Sequence, residues 1–288
     1  MSEPSAIPGL GPLPARPRCS GGSHPVALVT GANHGIGAAT ARALAAAGAW
    51  VLVTGLPLHD QRDPAVPDTY YRARAHDPEP VAESIRTAGG RAVAMAVDLA
   101  DDDAPRRLYD GAEEAFGVPV RILVHNATGW VGDSFAGDGT DHAERTVQAV
   151  TPATFDRQFA VDARAGALLI THHAERHRGR GDDWGRIVTL TSGGPDGFPT
   201  EASYGAAKAA LDNYAMTAAA ELAALGITVN AVMPPVTDTG WVTDPVREFV
   251  ATSWGHHHVA TPEEVAGVIA WLCTDESWLV TGNRIVLR

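Results

Sequence analysis

The sequence has few cysteines, no long apolar segment and no excess of basic residues. Its two cysteines, Cys19 and Cys273, are too few for a disulfide framework, which favours a reducing, cytoplasmic location. No apolar run reaches the ~18–20 residues that a membrane span needs, and the first residues contain no apolar signal-peptide core. The formal net charge of −12 argues against a broad electrostatic surface for nucleic acid or anionic lipid. These absences argue against nucleic-acid-binding, membrane and secreted proteins.

Glycine and proline are more abundant, and their positions divide the chain. The 30 glycines and 20 prolines among 288 residues stay below the ~25–30% that is typical of disorder. Several prolines fall within residues 1–24, where they remove helix and sheet hydrogen bonds. We predict that residues 1–24 form a flexible extension and that residues 25–288 form one domain with a full core.

Short β-branched runs alternate with alanine-rich helical stretches from residue 25 onward. Strands are predicted at 26–30, 50–54, 91–97, 121–126, 186–191, 227–233 and 284–287, and helices at 35–47, 81–87, 104–116, 154–176, 203–224 and 262–274. Strands that are apolar throughout are typical of a sheet buried on both faces. The alternating order implies parallel strands with right-handed crossovers. We therefore predict a single, doubly wound, Rossmann-like α/β domain with a seven-stranded parallel sheet.

Three segments that follow predicted strands are longer than this fold requires. They span residues 56–80, 128–151 and 236–261. Ligands of open α/β sheets bind beyond the carboxyl ends of the strands, so these segments are expected to surround a site. The aromatic side chains expected to form its walls, and thus to favour a partly apolar or cyclic substrate, are Trp130, Phe135, Trp241, Phe249 and Trp254.

The first predicted strand runs into a glycine-rich turn that opens the first helix. The run TGANHGIG occupies residues 30–37. Its glycines allow a tight turn and the close approach of a pyrophosphate to the helix N-terminus. The run predicts dinucleotide binding, with a purely structural turn as the alternative. The candidate contacts in this turn are Gly31, Asn33, His34, Gly35, Ile36 and Gly37.

A tyrosine and a lysine are spaced for acid–base chemistry. Tyr204 and Lys208 lie four residues apart in a predicted helix, so their side chains share one face. An ammonium beside a phenol lowers the phenol's pKa from its usual value near 10, which brings proton transfer closer to neutral pH. A surface pair on an amphipathic helix is the alternative for YxxxK alone, and Ser192 together with the glycine-rich turn favours the catalytic interpretation.

Six short motifs occur in order along the chain: TGANHGIG at 30–37, VDL at 97–99, HNA at 125–127, TLTS at 189–192, YGAAK at 204–208 and VNAVMPPVTDT at 229–239. Through these motifs the chain resembles the short-chain dehydrogenase/reductase family over about residues 25–287. The resemblance implies an NAD(P)-dependent oxidoreductase that transfers hydride between a nicotinamide and a ketone or secondary alcohol. It also implies a homodimer or homotetramer, built through the helices that carry Asp162 and Tyr204 and through the last strand.

The resemblance assigns roles to individual residues. Tyr204 exchanges the proton of the carbonyl or hydroxyl oxygen, Ser192 orients that oxygen, and Lys208 also holds the nicotinamide ribose. Asp162 stands where the family's fourth catalytic residue is an asparagine that supports a water-linked proton relay. Further cofactor contacts are implied for Gly55, Asp98, Leu99, Asn126, Ala127, Tyr204, Lys208, Pro234, Val236 and Thr239.

Four departures from the family pattern distinguish this chain. Asp162 keeps an acceptor but lacks the amide donor of asparagine. Thr128 and Pro235 each replace a glycine, and the family's C-terminal Gly-Gly tail is missing. These departures keep two alternatives open: a non-catalytic dinucleotide-binding sensor or partner protein, and an epimerase or dehydratase with the same fold.

The end of the second predicted strand bears on the choice of cofactor. Gly55 occupies the position of the acidic residue that binds the ribose 2′-hydroxyl of NAD, which favours NADP. Arginines in the following segment can reach a 2′-phosphate, whereas Asp60 can instead reach a hydroxyl. These arginines are Arg62, Arg72 and Arg74.

Two histidine groups suggest metal binding, and we predict no metal site at either. Adjacent side chains such as those of residues 256–258 rarely converge on one ion. His173 and His177 are better spaced, but the surrounding helix is polar, so we expect them on a solvated face.

Overall fold

The computed structural model describes residues 24–59, 62–141, 143–193 and 197–288. Most of the predicted N-terminal extension, Cys19 and Asp60 therefore lie outside the described residues. At the boundary, the His24 ring stacks on Trp50 and bonds to the carbonyl of Gly48. No helix within the described ranges is long and apolar enough to cross a membrane.

The seven-stranded parallel sheet is confirmed. Its strands are β1 (Val26–Thr30), β2 (Trp50–Gly55), β3 (Arg91–Ala96), β4 (Val120–His125), β8 (Gly185–Leu190), β9 (Ile227–Met233) and β10 (Asn283–Val286). They pair in the order β10-β9-β8-β4-β1-β2-β3, always in parallel. The order reverses between β1 and β4, which is where this fold opens its ligand crevice.

Helices cover both faces of the sheet, as its apolar strands require. The helices are α1 (Gly35–Ala46), α2 (Asp68–Arg74), α3 (Glu79–Thr87), α4 (Ala104–Phe116), α5 (Pro152–Phe159), α6 (Ala165–Arg180), α7 (Ala202–Leu222), α8 (Asp244–Thr252) and α9 (Pro262–Leu272). Helices α1, α3 and α9 bury apolar side chains on one face, and α4, α6 and α7 do so on the other. This two-sided burial removes most strand side chains from water and is the main stabilising contribution.

The three long segments fold over the carboxyl end of the sheet and contact one another. Residues 56–80 contain α2, residues 128–151 contain the short strands β5 (Asp133–Ser134), β6 (Gly139–Thr140) and β7 (Thr146–Ala149), and residues 236–261 contain α8. The hydroxyl of Thr69 donates to the carbonyl of Gly240, and the amide of Thr146 donates to the carboxylate of Asp63. These bonds join the three segments above the crevice.

The expected solvated face at His173 and His177 is wrong, because both residues are buried. The Tyr109 hydroxyl donates to the carbonyl of Leu169, so it accepts from Nδ1–H of His173 at 3.2 Å. Nε2 of His177 bonds to the carbonyl of Leu225 at 2.8 Å. The two imidazoles share one helical face that packs inward, while the polar residues around them point outward.

Candidate active site

A cavity of about 620 Å³ lies at the carboxyl ends of the strands. Eight of the predicted site residues line it: Ile36, Asn126, Ser192, Tyr204, Lys208, Pro234, Val236 and Thr239. They come from five separate stretches of the chain, so the fold brings together what the sequence keeps apart. The cavity extends from Ile36 in the glycine-rich turn to aromatic side chains of the long segments.

The glycine-rich turn is closely packed against its surroundings. A Cβ on Gly37 would lie 2.2 Å from the carbonyl oxygen of Gly31, and a Cβ on Gly35 would lie 2.8 Å from Cγ2 of Thr239. The Asn126 amide donates to the carbonyls of Thr30 and Gly31, which ties the turn to the end of β4. Bare backbone at the N-terminus of α1 is what a pyrophosphate requires, so these residues fit a dinucleotide.

The end of β2 contacts the turn through Asn33. A Cβ on Gly55 would lie 2.7 Å from Oδ1 of Asn33, so the side chain of Asn33 lies directly on this glycine. Its amide donates to the carbonyls of Arg74 and His76 at 3.3 and 3.0 Å. Asn33, predicted to contact the cofactor, thus also holds the segment after α2 beside the turn.

Three further predicted cofactor residues lie just beyond the carboxyl ends of β3 and β4. The Asp98 carboxylate accepts from the amide of Ala100 at 2.8 Å, and Leu99 is buried in the core. The amide of Ala127 donates to Oγ1 of Thr30 at 3.1 Å. Their roles toward a cofactor stay predictions.

The predicted Ser–Tyr–Lys group is assembled. Ser192 follows β8 and its side chain hydrogen-bonds to Tyr204 on α7. Nζ of Lys208, one helical turn further on, lies 5.7 Å from the centre of the Tyr204 ring and donates to the carbonyl of Leu190 at 2.9 Å. The helical spacing therefore places ammonium, phenol and hydroxyl on one wall of the cavity.

Lys208 lowers the pKa of Tyr204 as expected, but burial outweighs it and the net shift is upward. Burial raises the pKa of Tyr204 above its usual 10.0, and the nearby carboxylates of Asp162 and Glu201 add to that rise. Lys208 and Ser192 lower the same pKa, but by less. The phenol is consequently protonated at neutral pH, which suits a proton donor.

Asp162 lies in a π-helical turn, residues Ala160–Arg164, between α5 and α6. Its carboxylate is fully buried, and Oδ1 lies 2.8 Å from Nζ of Lys208. A π-turn adds one residue to the helix and releases a backbone carbonyl, a frequent feature of functional sites. The turn thereby directs the Asp162 side chain to Lys208.

His125 donates a hydrogen bond to a backbone carbonyl of this turn. Thr30 Oγ1 accepts from the amides of Asn126 and Ala127, so its own proton goes to Nδ1 of His125 at 3.0 Å. Nε2 of His125 then carries the proton and donates to the carbonyl of Asp162 at 3.2 Å. Burial and the charge of Lys208 lower the pKa of His125 to about 4, so this imidazole is neutral.

Aromatic side chains form the outer part of the cavity. Trp130, Trp241 and Phe249 line it as expected. The expectation is wrong for Phe135 and Trp254, which are each 90% exposed because they lie on outward turns of their segments.

Arg145 holds two of these walls together. Its guanidinium lies 5.2 Å from the ring centre of Trp130 and 5.6 Å from that of Trp241. It pairs with Asp141 at 2.6 Å and with Glu201 at 3.2 Å.

Comparison with known proteins gives the family. The family model described as enoyl-(acyl carrier protein) reductase matches residues 31–287. A solved double mutant of a Serratia marcescens short-chain dehydrogenase/reductase matches with a TM-score of 0.72 and 28% identity, covering 91% of this chain and 96% of the other. The chain belongs to the short-chain dehydrogenase/reductase family. It is accordingly an NAD(P)-dependent oxidoreductase of carbonyl compounds and alcohols.

Two further members of this family resemble the chain over most of its length. The cis-4-hydroxycyclohexanecarboxylate dehydrogenase of Sinomonas cyclohexanicum is 35% identical over 89% of this chain and 92% of its own. The solved angucycline C-6 ketoreductase LanV with bound NADP is 31% identical, with a TM-score of 0.72, and the match covers 91% of this chain and 93% of that one.

Sequence reasoning missed several residues that shape this short-chain dehydrogenase/reductase site. Gln158 donates to the Asp162 carboxylate, and so does Thr128, which the sequence marked only as a replaced glycine; Tyr70 from α2 reaches the cavity. The spacing of Gln158 and Asp162 by four residues was a detectable signal, because such residues share a helical face. Tyr70 and Arg145 gave no such signal, since both enter from long segments.

Proposed function

We propose that the protein reduces a neutral, partly apolar cyclic ketone with NADPH. The observation that carries this proposal is the Ser192–Tyr204–Lys208 group at the junction of the glycine-rich turn and an aromatic cavity. A bound nicotinamide would supply the hydride. Tyr204 would donate the proton to the carbonyl oxygen, Ser192 would hold that oxygen by a hydrogen bond, and Lys208 would bind the nicotinamide ribose.

The walls of the cavity support the substrate class. Trp130, Trp241 and Phe249 offer broad apolar faces, which favour ring-shaped molecules. The positive charge of Arg145 beside Trp130 and Trp241 is matched by two carboxylates and offers little to an anionic group. The names of the two relatives, which refer to a cyclohexane ring and to an angucycline, are consistent with cyclic substrates.

The direct test is turnover of NADPH with a panel of cyclic and open-chain ketones, and of NADP with the matching alcohols. We expect NADPH absorbance to fall faster with cyclic ketones than with open-chain ketones. Tight NADPH binding without turnover on the whole panel would favour the sensor alternative. Substrate conversion without net change in the cofactor would favour an epimerase or dehydratase.

The preference for NADP is supported by charge at the end of β2. Gly55 provides no carboxylate to repel a 2′-phosphate. Burial lowers the pKa of His34 to about 4 together with the nearby Arg74 and His76, so the imidazole of His34 is neutral. The positive charge beside the turn is therefore that of the Arg74 guanidinium. NADP is bound in two solved relatives, LanV and a 3-oxoacyl (acyl-carrier-protein) reductase from Agrobacterium tumefaciens C58.

A carboxylate at residue 55 is expected to reverse this preference. The wild type should show kcat/KM for NADPH at least about tenfold above that for NADH, because a paired phosphate is worth roughly 1.5–3 kcal/mol. Gly55→Asp should lower the NADPH value far more than the NADH value. Gly55→Ala is the matched control, since it brings the same Cβ contact with Asn33 without the charge. A wild type that prefers NADH would contradict the proposal.

We also propose that the chain forms a homodimer or homotetramer. Phe155 on α5 and Tyr214 on α7 leave 46% and 45% of their surface exposed, and Phe159 stacks on Phe155. A shared apolar face on these helices supports association. Light scattering should give two or four times the 30.1 kDa chain mass, and a mass of one chain would refute this.

A further inference from the structure

We infer that Asp162 is the direct counter-ion of Lys208 and that Thr128 and Gln158 are built around it as one unit, which keeps the proton on Tyr204 into alkaline pH. The inference deepens the proposed function, because it concerns the proton that the reduction uses. It makes Asp162 a positioning residue: it acts on the reaction through Lys208.

Each oxygen of the Asp162 carboxylate has its own partners. Oδ1 receives the ammonium of Lys208 at 2.8 Å. Oδ2 receives three donors: the hydroxyl of Thr128 at 3.1 Å, the amide of Gly129 at 2.9 Å and Nε2 of Gln158 at 2.6 Å. A carboxylate has acceptor sites for all four donors, and such charge-assisted bonds are strong in a buried site.

An asparagine cannot satisfy the same four donors. Its carbonyl can face either the ammonium or the group of three, and its NH2 then points donor to donor at the remaining side. Two departures from the family pattern, Asp162 and Thr128, therefore explain each other. The hydroxyl of Thr128 donates to the Asp162 carboxylate. The two substitutions therefore indicate an adapted site and not one that has lost its function.

The ion pair with Asp162 weakens the stabilisation that the Lys208 charge gives to a Tyr204 phenolate. Lys208 is buried, and its ammonium donates to the carbonyl of Leu190 and forms an ion pair with Oδ1 of Asp162 at 2.8 Å. The carboxylate cancels much of the positive charge that would otherwise favour a phenolate. Burial alone would lower the pKa of Lys208, but Asp162 and Tyr204 raise it overall, so the ammonium persists.

The other groups around Tyr204 do not replace this effect. Glu201 also disfavours the phenolate, but its carboxylate is shared with Arg145 and Trp130. Ser192 is uncharged, and His125, which faces Lys208 from β4, is neutral. Asp212 acts on Lys208 from one turn further along α7, and it is paired with Arg284 at 2.6 Å. Asp162 is thus the one carboxylate within the described site that touches the ammonium.

The first experiment measures kcat/KM for ketone reduction against pH. In the wild type we expect activity to persist into the alkaline range, because the pKa of Tyr204 is raised. The Thr128→Gly/Asp162→Asn double variant removes the carboxylate charge together with one surplus hydrogen-bond donor. In this variant the falling limb of the pH profile should move to lower pH by roughly one unit or more. Asp212→Asn is the matched control, because Asp212 is a buried carboxylate on α7, the helix that carries Lys208. It should move the falling limb by less than about a third of that shift. Equal shifts in both variants, or an unmoved limb in the double variant, would overturn the inference.

The second experiment needs no turnover. The ultraviolet difference between each protein and its own Tyr204→Phe counterpart follows the ionisation of this one phenol. With Asp162 present we expect the phenolate of Tyr204 to form only at higher pH than for an ordinary tyrosine, and in the double variant we expect its signal at lower pH. The same midpoint in both would refute the role of Asp162. If these titrations behave as expected while no ketone is reduced, the proposed function fails and the ion-pair inference stands.

Comparing the single variants of Thr128 and Asp162 with the double variant tests whether the two residues act as one unit. Asp162→Asn alone should be less stable to heat than the Thr128→Gly/Asp162→Asn double variant, because the single change leaves surplus donors facing an amide. Thr128→Gly alone should leave the pH limb in place, since the ion pair with Lys208 is kept. A double variant no more stable than Asp162→Asn would show that Thr128 does not belong to the unit.

Discussion

Replacing Tyr204 with phenylalanine is expected to lower kcat for ketone reduction by roughly 10²–10⁴-fold, the usual contribution of a positioned proton donor. The ring and its packing stay, and only the hydroxyl that bonds to Ser192 is lost. Cofactor affinity should remain within about threefold of the wild type, because Lys208 and the glycine-rich turn are unchanged. Steady-state kinetics and titration of NADPH fluorescence measure the two effects separately.

Tyr214→Phe provides the matched control for this loss. Tyr214 lies on the same helix, α7, but its side chain is 45% exposed and away from the cavity wall that carries Tyr204. Its phenylalanine variant should retain wild-type kcat. Turnover by Tyr204→Phe within tenfold of the wild type would exclude Tyr204 as the proton donor.

The second large effect is loss of stability in mild acid. Burial lowers the pKa of His173 to about 3 and that of His34 and His125 to about 4, against 6.5 in the unfolded chain. Between these values the unfolded chain binds more protons than the folded one, so the free energy of unfolding rises with pH there. The stabilisation is complete above about pH 6.5 and is lost as the pH falls toward 4. Each such imidazole contributes up to about 1.4 kcal/mol per pH unit.

Denaturant titrations at several pH values between 7 and 4 test this expectation. His173→Gln should remove up to one proton from the slope of unfolding free energy against pH. His172→Gln is its matched control, because His172 directly precedes His173 on α6 and its side chain is partly exposed beside Glu175. An equal change of slope in the two variants would contradict the assignment to burial.

The sheet could be predicted from the sequence because its signal is local. The seven predicted strands match the observed ones to within one residue at each end, since apolar β-branched runs such as residues 227–233 are continuous. Helix ends were less predictable. The predicted helix at 154–176 is in fact α5, a π-turn and α6, because the additional residue of a π-turn leaves no periodic signal.

The site was predictable as a set of residues but not as an electrostatic arrangement. Ser192, Tyr204 and Lys208 follow from spacing and resemblance. The direction of the Tyr204 pKa does not, because burial outweighs the ammonium and burial depends on the packing of remote segments. For the same reason the pattern suggested a polar face for His173, whose ring nitrogen finds its partner, Tyr109, on another helix.

The four donors around Asp162 also restrict the order in which this site could have changed over generations. A carboxylate can enter before the hydroxyl at residue 128, because Lys208, Gln158 and the amide of Gly129 already receive it. The hydroxyl gains its main acceptor only once the carboxylate is present. A return to asparagine is then expected to destabilise the site less if residue 128 loses its hydroxyl first.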